Sequence, residues 1–121
     1  MPTRDHILEM IATHCRAEND LDKDTYIALF AEDVVIEDPV GVNTTTGIEA
    51  VARDFWASVL NAEPKLQQLQ DPIVCGNEAI AFIEAEINHD GGRVTISPIV
   101  VNFVYDEAGK VSRLRSFMNY G

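Results

Sequence analysis

The chain has 121 residues, 46% of them hydrophobic and 24% charged, which is the length and composition of one globular domain over residues 1–121. Twenty acidic residues against nine basic ones give a formal net charge of −11. That balance argues against nucleic-acid phosphates, anionic membranes and strongly anionic ligands, and favours a neutral, apolar one.

No apolar run approaches the ~20 residues that cross a bilayer. The start, Met1-Pro-Thr-Arg-Asp-His, lacks the apolar stretch of a signal peptide, so the cytoplasm is the expected location. A reducing cytoplasm makes Cys15 and Cys75 two free thiols.

From Asp5 to about Glu18, apolar residues recur at Ile7, Met10 and Ile11, and the next position on that stripe is His14. Asn19 to Asp24 is turn and cap chemistry. A second helix is expected from about Asp22 to Ala31, with Tyr26, Leu29 and Phe30 on one face. Glu32-Asp33 breaks it, and Val34 to Asp38 reads as a short strand. Val42 to Gly47 reads as a loop. A third helix follows from about Ile48 to Leu60, with Val51, Phe55 and Val59 as its stripe and Trp56 beside it.

From Pro64 onward the pattern is that of strands: Leu66–Gln70, Ile73–Cys75, Ala79–Asn88, Arg93–Tyr105 and Lys110–Tyr120. Gly76-Asn, Asp90-Gly-Gly and Glu107-Ala-Gly turns separate them. Helices first and antiparallel strands afterwards mean an α+β fold. A curved sheet wrapped around helices makes a cone with an apolar interior, a natural ligand site.

Side chains alternate along a strand, so Val34, Ile36 and Asp38 share one face of "VVIEDPVG" while Val35 and Glu37 share the other. If the first set faces inward, desolvation raises the pKa of Asp38 and makes it a stronger base than a surface aspartate. If the second set does, Asp38 is a turn residue before Pro39. Alternation leaves both readings open. His14 is a pocket imidazole or a satisfied core histidine. His6 and His89 fall near a helix start and a hairpin turn, and Glu84 and Glu86 mark the outer face of a strand. No His, Cys, Asp or Glu cluster has metal-site spacing. Adjacent helical residues point about 100° apart, so His14 and Cys15 are poorly placed as a nucleophile pair.

The segment "ALFAEDVVIEDPVG" (Ala28–Gly41) closely resembles that around the catalytic aspartate of the Δ5-3-ketosteroid isomerases. "GIEAVARDFW", "GNEAIAF" and "SPIVVNFVYDEAGKVSRLRSF" follow in the order and spacing of that family. "EDPVG" is the most specific part, and the remainder fits the wider nuclear transport factor 2-like superfamily equally well. The resemblance implies a cone-shaped fold, N-terminal helices on a strongly curved, mostly antiparallel sheet around an apolar pocket, and a homodimer packed through the sheets. It also implies proton transfer on a steroid-like ketone without a cofactor, with Asp38 as general base.

In that family the base faces an oxyanion hole of a tyrosine and a protonated aspartic acid. The tyrosine position falls on His14 here. The acid falls on Val101, or on Val100 if counted forward from Pro98. The tyrosine that supports the oxyanion tyrosine falls near Trp56, allowing one inserted residue in the third helix. The expected polariser is therefore His14, with the Trp56 N–H donating to one of its ring nitrogens. Ile36, Phe55, Trp56, Val101, Phe103 and Met118 are the expected pocket wall. Two other readings stand beside this one: a non-catalytic binder of an apolar ligand, and a SnoaL-like cyclase or dehydratase using Asp38 and His14.

Overall fold

A computed structural model describes residues 1–119. Helix α1 (Arg4–Asp20) opens with the Thr3 hydroxyl accepting from the His6 N–H and closes with Leu21 in the left-handed region. Its stripe of Ile7, Ile11, His14 and Cys15 is buried, and burying each isoleucine contributes roughly 1.5–3 kcal/mol. Helix α2 is only Lys23–Ile27, capped by Asp22. The expected helix to Ala31 stops early because Phe30 already pairs with Val111, so β1 runs Phe30–Glu37. Tertiary pairing outweighs local helix preference there.

Thr44–Thr46, read from sequence as loop, is a short strand β2 on the edge of β1. The third helix runs as α3 (Ile48–Ala50), a π-helical turn (Val51–Phe55) and α4 (Trp56–Ala62). Strands β3 (Lys65–Gln68), β4 (Ile73–Cys75), β5 (Glu78–His89), β6 (Gly92–Tyr105) and β7 (Val111–Phe117) follow. Tyr120, where the last strand was expected to end, lies outside the described residues.

The strands form one open seven-stranded sheet in the order β2-β1-β7-β6-β5-β3, with β4 on β5. All pairs are antiparallel except β1 with β7. Register shifts between Ile83 and Ala85 and between Val104 and Tyr105 mark bulges, which bend strands and increase twist. The concave face carries Ala79, Ala81, Ile83, Ala85, Ile99, Val101, Phe103, Leu114 and Ser116, all buried. Helices α1 and α4 pack over this face and leave a cavity under them. No helix among the described residues is long and apolar enough to cross a membrane.

Candidate functional site

The cavity has a volume of about 250 Å³ and lies between the helices and the concave face. Its apolar wall includes Phe55, Val59, Leu66, Ile83, Ile99, Val101, Leu114 and Met118; its polar side groups are His14, Glu18, Tyr26, Asp38, Ser58 and Ser116.

Asp38 follows directly on β1, whose buried Val34 and Ile36 share its face. The inward phase is therefore the one that carries Asp38 into the cavity. Glu37 points the other way and is met by Arg113 at 3.1 Å and Arg115 at 3.2 Å. The parallel partner β7 sets Glu37 beside Arg115, which brings the next residue, Ser116, next to Asp38. The Ser116 hydroxyl donates to Asp38 Oδ1. Burial raises the Asp38 carboxyl above the usual aspartate range, and the Glu18 charge adds to this. The Ser116 hydrogen bond and His14 act in the opposite direction.

His14 and Glu18 are one helical turn apart on α1 and meet, with His14 Nε2 3.0 Å from Glu18 Oε2. The Tyr26 hydroxyl donates to the same oxygen at 3.0 Å. A carboxylate only accepts, so Oε2 receives the Tyr26 hydroxyl, while His14 Nε2 sits beside it as a close polar contact. Burial pushes the Tyr26 phenol well above its ordinary range, and the adjacent Glu18 adds to that. The other ring nitrogen of His14, Nδ1, is buried without a partner among the described residues. Tyr26 and Phe103 pack on the imidazole, with ring centroids 5.0 and 5.3 Å away.

The cavity thus brings together five residues expected from sequence: Asp38, His14, Phe55, Val101 and Met118. Three expected wall residues are elsewhere. Ile36 is 1% exposed, on the same face as Asp38 but covered within the core. Phe103 lies behind His14, edge-on to its ring. Trp56 is in the core against Tyr26, at 5.3 Å between ring centroids. The expected Trp56 support of His14 is replaced by Glu18, because the π-helical turn brings Phe55 to the wall and Trp56 into the core. Of the two valines aligned with the family's acid, Val101 faces the cavity, while Val100 lies on the opposite face of β6, between Phe82 and Phe117.

Sequence reasoning missed Glu18, Tyr26 and Ser116. Glu18 was within reach as the position four residues after His14 on one helix face. Ser116 alternates with Leu114 on β7. Tyr26 gave no signal apart from its apolar face. Among the described residues no group of three or more His, Cys, Asp or Glu could hold a metal ion.

Residues 11–114 match the SnoaL-like domain. The chain belongs to this family. At a greater distance, the SnoaL-like domain is 29% identical over 92 residues to a steroid Δ-isomerase of Nocardioides simplex, covering 74% of this chain and 71% of that protein. Among solved structures, RV0760c of Mycobacterium tuberculosis superposes with a TM-score of 0.85 at 21% identity, over 98% of this chain and 95% of that one. The same protein has also been solved in complex with estradiol-17β-hemisuccinate. SalBIII, an epoxide hydrolase/cyclase-like enzyme of pyran ring formation in salinomycin, superposes with a TM-score of 0.81 at 27% identity, over 92% of this chain and 88% of that one. The fold is therefore the nuclear transport factor 2-like cone expected from sequence, open rather than closed into a barrel.

Proposed function

We propose that this SnoaL-like domain is a cofactor-independent enzyme of the steroid Δ-isomerase type, moving a proton on an apolar, steroid-like ketone. The observation that carries the reading is the position of Asp38: a carboxylate in the cavity, raised by burial and held at one oxygen by Ser116. Such a group removes a proton beside a carbonyl and returns it two carbons away. The acid side is the His14–Glu18–Tyr26 cluster. To polarise a ketone, His14 shares its Nε2–H, or Tyr26 its O–H, with the substrate oxygen at the expense of Glu18.

The test is to mix the protein with a Δ5-3-ketosteroid and follow the conjugated enone in the ultraviolet, with Asp38→Asn as control. Enone formation that needs Asp38 supports the proposal; turnover that persists in the Asn variant removes Asp38 from the base role. Tight binding of a phenolic steroid without turnover points instead to a non-catalytic binder.

A second reading is ring closure, in which Asp38 takes the proton of a hydroxyl nucleophile. The likeness to SalBIII and the engagement of His14 and Tyr26 with Glu18 favour it. His14 then has to deliver a full proton.

A homodimer through the outer face of the sheet belongs to the same proposal. Phe82, Val100 and Phe117 form a row across three strands there, and Phe117 is 44% exposed.

A further inference from the structure

We propose that the cavity selects molecules that bring a hydrogen-bond donor, an alcohol, enol or phenol hydroxyl on an apolar body, over ketones and ethers of the same shape. The proposal deepens the reading of this cavity as the ligand site and rests on it.

Among the described residues, every side-chain hydroxyl in the wall is already committed to the protein. The Tyr26 hydroxyl goes to Glu18 Oε2 at 3.0 Å, and His14 Nε2 is held 3.0 Å from the same oxygen. The Ser58 hydroxyl goes to the Phe55 carbonyl at 2.6 Å, and that of Ser116 to Asp38 Oδ1. The remaining nitrogen, His14 Nδ1, is buried away from the cavity surface. Among the described residues, no lysine, arginine, asparagine, glutamine or tryptophan lines the wall.

The acceptors have the opposite status. Asp38 and Glu18 each use one oxygen in these bonds, which leaves Oδ2 of Asp38 and Oε1 of Glu18 for a ligand. A hydroxyl entering this site donates to one of those oxygens and disturbs nothing. A carbonyl of the same shape offers only lone pairs. It either faces two carboxyl groups unsatisfied or takes a donor away from Glu18. The difference is one hydrogen bond to a charged acceptor, corresponding to about 10- to 100-fold in affinity. Under the isomerase reading, the enolic form of the substrate is then held more tightly than the ketone, the direction that favours catalysis.

The test uses three probes with one apolar body: 2-naphthol, 2-methoxynaphthalene and 2-acetylnaphthalene, titrated calorimetrically. These do not require a steroid-shaped pocket, so the donor rule is judged separately from steroid turnover. The expected result is that 2-naphthol binds at least 10-fold more tightly than the other two. In Asp38→Asn and Glu18→Gln, each of which places an amide donor in the wall, the acetyl probe should gain on the naphthol. Circular dichroism checks that each variant folds, and either variant alone suffices. Equal affinities in the unmodified protein, tighter binding of the acetyl probe, or no binding by any of the three overturns the proposal.

Discussion

Ser116 on β7 donates its hydroxyl to Oδ1 of Asp38 at the end of β1, across a parallel pair of strands. The bond favours the charged carboxylate and opposes the larger effect of burial. Replacing Ser116 with Ala removes the opposing effect and leaves the carboxyl still higher. The acid limb of kcat/KM against pH should therefore move to higher pH, with the plateau changed only a few-fold. An unshifted limb would show that Ser116 does not tune the base.

Asp38→Asn should lower turnover by about 10²- to 10⁴-fold, the contribution of a general base. The same change should stabilise the fold at neutral pH. The folded carboxyl is raised above its ordinary value of 3.8, so the folded state holds its proton more tightly than the unfolded chain does. The stability this gives is complete below the unfolded value and is lost as pH rises through the folded one. Asparagine has no proton to lose. Denaturant unfolding across pH should show the variant ahead at neutral pH and the gap closing toward 3.8.

Much of this site was legible in the chain. The "EDPVG" segment located Asp38, and the stripe of α1 located His14. The residues that hold these two were not, because a bond such as Ser116 to Asp38 depends on which strands lie side by side. The parallel pairing of β1 with β7 joins segments 78 residues apart and leaves no local periodic trace. The same long-range pairing shortened α2 and made a strand of Thr44–Thr46. Trp56 was misplaced for a different reason: its role was carried over from the isomerase resemblance across one inserted residue, and after the wider π-helical turn Trp56 lies in the core.

His14→Ala removes the imidazole that lies 3.0 Å from Glu18 Oε2 and lines the cavity. Turnover should fall by about 10²-fold while binding of an apolar ligand changes little. Parallel losses of activity and of thermal stability would instead assign His14 to the core.

Val101→Asp places a carboxyl group in the cavity wall, at the cavity-facing one of the two valines that the resemblance matches to the isomerases' protonated acid. In an apolar wall the group stays neutral and supplies the free donor that the resting site lacks. Ketosteroid turnover should rise by roughly 10-fold or more, at a stability cost of about 1–3 kcal/mol for burying a polar group. An unchanged rate would mean that polarisation of the ketone is not what limits this protein.

Cys15 is buried, and burial pushes its thiol up to about 12, with Glu18 adding to the rise. Cys75 is exposed. A maleimide at neutral pH should label the folded protein once, at Cys75, and twice after denaturation.

The π-helical turn at Val51–Phe55 makes the third helix an adjustable spacer. It holds a spare residue between two anchored ends: Val51 in the core on one side, Trp56 and Val59 on the other. Removing one residue there can therefore keep both anchors while rotating only the short stretch between them. The identity of the aromatic ring in the cavity wall, here Phe55, then depends on length rather than on substitution. Deleting Arg53, which is exposed, would change what the ligand touches without mutating any residue that touches it.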